Sequence, residues 1–269
     1  MGIRDAKILK IVPNALTIGN SLCGFFAILY MLRAYYAPDA DMTLFVFVVS
    51  AWMIFAAMIF DALDGLAARA FNATSMTGIQ MDSLSDMVTF GVAPATLVAI
   101  MTHSLRNCDM KLLQEFFVYA LSSVYLGCAA LRLAIYNVKA ITEHKNSKSF
   151  SGLPSPGAAA AICVAVFFAY TVSTKETSSI DLYRLAFILP VYAAFLGLLM
   201  VSSIPYLHVG KWMVSMIHSR RKQLFLLALI ILVAFFRINA LALIVTGYIL
   251  SGPFSLLLPK KTRQRIFED

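Results

Sequence analysis

The sequence predicts an all-α integral membrane protein of about eight transmembrane helices, with both termini in the cytoplasm. Three observations carry this. Of the 269 residues, 60% are hydrophobic and only 13% are charged, about half the charged share of a soluble domain; the mean hydropathy is +0.80. Apolar stretches near the ~20 residues that cross a bilayer recur along the chain. The cations between those stretches fall mainly on one side, as the positive-inside rule requires of cytoplasmic loops.

The spans are placed at 15–36, 43–64, 83–102, 115–136, 154–172, 183–203, 222–236 and 238–258. The division between the last two rests on Arg237 and a few small residues, and seven spans or a re-entrant segment is the alternative. With eight spans, one side holds Arg4, Lys7, Lys10, Arg69, Lys139, Lys145, Lys148, Lys211, Arg220, Arg221, Lys222, Lys260, Lys261, Arg263 and Arg265. The other holds Arg33, Arg106, Lys111, Lys175, Arg184 and Arg237. Fifteen cations against six place the first side in the cytoplasm.

No loop is long enough for a second domain, so residues 1–269 read as one membrane-embedded unit. The N-terminus shows no short apolar core followed by a small-residue cleavage site, and no signal peptide is expected. The net charge of +8, gathered on the cytoplasmic side, suits an anionic leaflet; nothing suggests nucleic-acid binding. Cys23, Cys108, Cys128 and Cys163 are solitary, so neither a disulfide framework nor a cysteine metal site is expected. Val209, Trp212, Met213, Met216 and Ile217 follow a 3.6-residue period beside basic residues, which fits a helix lying in the interface.

The stretch DALDGLAARAFNATSMTGIQMDSLSD, residues 61–86, is the chemical anomaly. Asp61 and Asp64 end the second span, and Asp82 and Asp86 begin the third. Helical spacing puts Asp61, Asp64 and Ala68 on one face, and Gly78, Asp82 and Asp86 on another. Folding the hairpin brings the two carboxylate pairs together. Carboxylates are costly near hydrocarbon and repel one another, so bound divalent cations are expected. An all-oxygen donor set suits Mg²⁺ or Mn²⁺, and this many carboxylates can hold two ions, the arrangement that clamps an in-line phosphoryl displacement. Gly65 and Ala68 leave room for a flat ligand, and Arg69 can reach a phosphate. Helix-end charges alone do not account for the pattern, because Asp61 and Asp64 approach a helix C-terminus, where negative charge is unfavourable.

Asp61, Asp64, Gly65, Ala68, Arg69, Gly78, Asp82 and Asp86 meet the pattern D-x2-D-G-x2-A-R-x8-G-x3-D-x3-D at every position. In this the chain resembles the CDP-alcohol phosphotransferases, membrane enzymes of phospholipid synthesis. The resemblance implies that a CDP-linked lipid donates its phosphatidyl group to an alcohol and releases CMP. It also implies that Asp61, Asp64, Asp82 and Asp86 bind metal, that Asp86 is the base for the attacking hydroxyl, and that Gly65, Arg69 and Ser75 hold the CDP moiety. A hydroxyl needs such a positioned proton acceptor at neutral pH.

Two softer motifs and one arginine bear on the alcohol. Asn14, Thr17 and Asn20, in PNALTIGN, share a face near the first span's cytoplasmic end, and Asn14 and Thr17 are expected beside the nucleotide lipid. In FSGLPSPG, residues 150–157, Ser155 precedes Pro156 as an N-cap precedes N1, so the fifth span offers backbone N–H groups to an anion. Arg132, in LRLAIYN, is a lone arginine within a span and is functional by default. Together these resemble the phosphatidylserine synthase branch of the family. The expected acceptor site comprises Arg132, Asn137, Ser151, Gly152, Pro154 and Ser155. Ile135 stands where that branch often has a second arginine.

The resulting expectation is transfer from CDP-diacylglycerol to L-serine in a bacterial cytoplasmic (inner) membrane, with the active site facing the cytoplasm and a homodimer permitted. Choline, glycerol phosphate or inositol phosphate would be an alternative acceptor for the same chemistry. An ion-coupled transporter is the rival of another class; it requires carboxylates near mid-membrane and a repeated half, and the sequence shows neither.

Overall fold

A computed structural model of the chain describes residues 3–71, 75–106, 111–142, 152–173, 179–206 and 220–255. Eight α-helices account for most of them: α1 Ile3–Met31, α2 Ala40–Ala70, α3 Met76–Asp86, α4 Ala93–Leu105, α5 Leu112–Thr142, α6 Ser155–Ser173, α7 Ser179–Val201 and α8 Arg220–Ser255. A 3₁₀ turn, Leu32–Tyr36, follows α1, and a π-helical segment, Met87–Val92, joins α3 to α4. Among the described residues there is no strand.

Six segments are long and apolar enough to cross a membrane: Ile11–Tyr36, Ala40–Ala70, Met76–Leu105, Leu112–Val138, Ser155–Ser173 and Ile238–Ser255; Ala186–Val201 is a shorter apolar helix. The all-helical membrane architecture is therefore present, while the division expected at Arg237 is not. The helix α8 runs unbroken from Arg220 to Ser255. Nothing in RINALAL forces a turn, since it holds neither glycine nor proline. A lone arginine marks charge and leaves the backbone helical. The interfacial helix expected over residues 209–217 lies outside the described residues.

The side-chain distribution is that of a bundle in lipid. Small residues line its interior, including Ala27, Ala51, Ala57, Ala158, Ala159 and Ala193, all fully buried. Large apolar side chains such as Phe25, Phe26, Trp52, Phe117, Leu131 and Leu243 point outward. Small residues let helix backbones approach closely, which is the main source of packing energy where lipid replaces water. A Cβ on Gly24 would stand 2.6 Å from Thr89 Cγ2, and one on Gly197 would stand 2.9 Å from Tyr125 Cα. These two contacts press α1 against the π segment and α7 against α5.

The π segment has a local cause. Pro94, in the first turn of α4, has no N–H for the Phe90 carbonyl and its ring crowds that position. The backbone shifts to an i→i+5 pattern there, with the Ala93 N–H bonded to the Val88 carbonyl. The buried Tyr125 hydroxyl donates to the Phe90 carbonyl at 2.9 Å and completes it. The third span thus changes its winding directly after Asp86.

Candidate active site

The site forms where α1, the end of α2 and the start of α3 meet. At about 1.5 Å per residue, the 31 residues of α2 span about 46 Å, well beyond a ~30 Å hydrocarbon core. The last three turns of α2 carry Asp61, Asp64 and Arg69. The Phe71 N–H closes α2 on the Ala67 carbonyl at 3.0 Å. Ser75 then caps α3, its hydroxyl accepting from the Gly78 N–H at 3.0 Å.

The hairpin brings Asp61, Asp64 and Asp82 together, with one carboxylate oxygen of each within 4.8 Å of the others. Asp64 is only 5% exposed, and Asp82 Oδ1 is buried with no hydrogen-bond donor in the described structure. Three hard oxygen donors at this separation, one of them an orphaned acceptor, match the demands of Mg²⁺ or Mn²⁺. The residues present fit a divalent metal.

Asp86 stands one helical turn beyond Asp82, outside that triad. It interacts electrostatically with Asp61, Asp82 and Asp64 and accepts a hydrogen bond from Asn20 Nδ2 at 3.2 Å. The Thr89 hydroxyl, in the π segment, lies 2.9 Å from Asn20 Oδ1 and also within hydrogen-bond reach of the Ser85 carbonyl, one proton shared between the two acceptors. Ser85 donates to the Thr17 carbonyl at 2.9 Å, tying α3 to α1. The Thr17 hydroxyl lies 2.8 Å from Asp64 Oδ2 and 3.0 Å from the Pro13 carbonyl, one proton serving both. The sequence placed Thr17 beside the nucleotide; the structure gives it a prior commitment to a carboxylate. Asn20 follows Thr17 by one turn, and that spacing was the signal for its role.

The other expected nucleotide residues surround the triad. Arg69 folds back along α2, its Nη2 3.9 Å from the position a Cβ on Gly65 would occupy. Ala68 is half-buried on the same turn. A Cβ on Gly78 would stand 3.1 Å from Ser75 Oγ and 3.8 Å from Asn14 Oδ1, so Asn14 closes over the start of α3.

Arg132, on α5, joins this cluster from the opposite side. It interacts electrostatically with Tyr248, Tyr136 and Asp86. Tyr136 interacts in turn with Asp82, Arg69, Asp86 and Arg132. Sequence reasoning passed over both tyrosines. Tyr136 had a detectable signal, one turn after Arg132, whereas nothing local marks Tyr248. Asn137 Oδ1 accepts a 2.7 Å hydrogen bond from Ser83, which docks α5 on α3.

In the GLPSP turn, Ser151 lies outside the described residues. Gly152 has φ +94°, and a Cβ there would collide with the Met200 carbonyl. Its N–H donates to the Ile204 carbonyl at 2.8 Å, and that of Leu153 to the Leu199 carbonyl at 3.0 Å. This turn is therefore packed against the end of α7. The helix α6 begins at Ser155, one residue earlier than a Ser155 N-cap implies, because the Ala158 N–H already bonds the Pro154 carbonyl at 3.0 Å. Ser155 is buried, at 3% exposure.

The model of the CDP-alcohol phosphatidyltransferase family matches residues 10–199, which include the whole triad, Asp86 and Arg132. The chain belongs to the CDP-alcohol phosphatidyltransferase family. It is 31% identical over 247 residues to the CDP-diacylglycerol–serine O-phosphatidyltransferase of Helicobacter pylori, covering 91% of this chain and 90% of that protein. It is 32% identical over 160 residues to the enzyme of the same name from Bacillus subtilis, covering 59% of this chain and 77% of that one. With that from Saccharomyces cerevisiae it shares 33% over 156 residues, 54% of this chain and 49% of the yeast protein. This family member is thus a membrane-embedded transferase whose acidic cluster sits at the family's matched segment.

Proposed function

We propose that this chain transfers the phosphatidyl group of CDP-diacylglycerol to L-serine, giving phosphatidylserine and CMP, as a single unit spanning residues 1–269. The observation that carries the reading is the convergence of Asp61, Asp64 and Asp82 within 4.8 Å, beside Asp86 and Arg132. The two-sided coverage of the Helicobacter pylori relative supports serine as the acceptor.

Asp61, Asp64 and Asp82 would hold the metal, one ion or two, with Asp86 completing the set. Bound Mg²⁺ or Mn²⁺ would neutralise these carboxylates and withdraw charge from the pyrophosphate of the donor. The protein's own groups do the rest. Asn14, Thr17, Gly65, Ala68, Arg69, Ser75 and Gly78 form the nucleotide end, with Arg69 on a phosphate and the small residues leaving space for the cytidine. Thr17 and Asn20 hold Asp64 and Asp86 in orientation. Asp86 accepts the proton of the serine hydroxyl as its oxygen attacks the phosphorus bearing the diacylglycerol. The bond from that phosphorus to the CMP oxygen breaks in line. The serines between the four aspartates are engaged elsewhere, Ser75 capping α3, Ser83 on Asn137 and Ser85 on the Thr17 carbonyl, and no Cys or His lies among them, so one displacement suffices.

Arg132 is the recognition group for the serine carboxylate, with Asn137 and residues 151–155 shaping the same side. A phosphorylated acceptor would call for several cations, and Arg69 and Arg132 are the cations recorded around Tyr136 in this cluster, Arg69 being assigned to the donor phosphate. Charge asymmetry of the loops supports a cytoplasmic mouth, and that of the first six spans does not depend on how α8 crosses the bilayer. A bacterial inner membrane and a homodimer fit this reading. The test is product identification with purified protein in detergent, CDP-diacylglycerol, Mn²⁺ and a panel of serine, choline, glycerol phosphate and inositol phosphate. Phosphatidylserine is the expected product; a product with another alcohol would retain the aspartate chemistry and discard serine.

A further inference from the structure

Tyr248 is the unassigned polar group closest in kind to this site. It lies on α8, beyond residue 199 where the family-wide match ends. Three features hold its ring. A Cβ on Gly157, in the first turn of α6, would stand 3.1 Å from Tyr248 Cε1, so the bare glycine provides the seat. The Tyr206 ring packs against it with centroids 5.8 Å apart. The Tyr206 hydroxyl donates to the Ile249 carbonyl at 3.2 Å, and Gly252 lets the Tyr206 ring lie flat on α8, where any Cβ would collide. So seated, against the first turn of α6 beside the acceptor-side turn, Tyr248 lies within electrostatic reach of Arg132, as do Tyr136 and Asp86.

We propose that Tyr248 and Arg132 together form the wall of the acceptor site that recognises a carboxylate-bearing alcohol. The proposal rests on the serine reading above. A phenol beside a guanidinium offers one O–H donor next to the arginine's fork of N–H donors, and two neighbouring donors suit the two oxygens of a carboxylate. The placement also divides the labour. Nucleotide and metal residues lie within the family-wide segment, and a group that selects among alcohols comes from a helix outside it.

Tyr248→Phe, assayed in the full-length protein with CDP-diacylglycerol and Mn²⁺, tests this. Loss of a hydrogen bond to a charged group should raise the KM for serine about 10–100-fold. The KM for CDP-diacylglycerol should stay at the wild-type value. Serinol, which lacks the carboxylate, should be used equally by both proteins. Tyr206→Phe, which loosens the same packing without touching the acceptor, should keep the wild-type KM for serine. An unchanged serine KM in Tyr248→Phe, an equal rise for both substrates, a matching rise in Tyr206→Phe, or failure to fold would overturn the proposal and leave Tyr248 a packing residue. Wild-type protein that uses another alcohol and refuses serine would overturn the serine reading itself, and that outcome is visible before any variant is made.

Discussion

Replacing Thr17 by Val removes one hydroxyl and almost no volume, at a site 5% exposed. The lost contact is the 2.8 Å hydrogen bond to Asp64 Oδ2. A hydrogen bond to a charged group contributes about 1.5–3 kcal/mol, which is about 10–100-fold in an equilibrium constant, and groups that orient metal ligands show losses of the same size. The Pro13 carbonyl, 3.0 Å away, keeps its place in the α1 backbone, so the cost falls on Asp64. The Mn²⁺ concentration for half-maximal CMP release should rise about 10–100-fold, with most of the rate recovered at saturating Mn²⁺. Direct Mn²⁺ titration by electron paramagnetic resonance should show the same weakening without substrate. An unchanged Mn²⁺ affinity in both assays would refute the claim that Thr17 acts through Asp64.

Three further outcomes follow from the packing. Gly24→Ala puts a Cβ 2.6 Å from Thr89 Cγ2, and such overpacking costs about 1–3 kcal/mol; a lower melting temperature in detergent is expected, partly restored by adding Thr89→Ser, which removes that methyl. Tyr125→Phe leaves the Phe90 carbonyl, opposite Pro94, without its donor, at a cost of about 1–3 kcal/mol, seen as a lower melting temperature. Gly152→Ala combines a left-handed φ of +94° with a collision at the Met200 carbonyl; poor recovery of folded protein is expected, where a surface glycine such as Gly127, with open space around it, should tolerate alanine.

Much of the site was legible because its information is local. Asp61 and Asp64, then Asp82 and Asp86, announce themselves by helical spacing in a chain poor in charge, and the short connection between α2 and α3 leaves them only one way to meet. The PNALTIGN face was equally readable, although its partners were not. That Thr17 meets Asp64 and Asn20 meets Asp86 depends on how α1 crosses the hairpin, which no local pattern records. The π turn after Asp86 followed from Pro94 together with a tyrosine on another helix. Gly152 looked like part of an anion-binding turn, because a positive φ and a close approach to α7 are tertiary facts. Arg237 is the opposite case: its charge suggests a boundary, but the backbone around it has no reason to break and the helix runs on from Arg220 to Ser255.

The measurement that tests the central claim most directly is serine-dependent CMP release by purified wild-type protein and by Asp86→Asn, in parallel with Mn²⁺ binding to each. The wild type should release CMP and Asp86→Asn should lose at least about 100-fold in kcat, with Mn²⁺ still bound through Asp61, Asp64 and Asp82. An Asp86→Asn protein that turns over at the wild-type rate would contradict that claim.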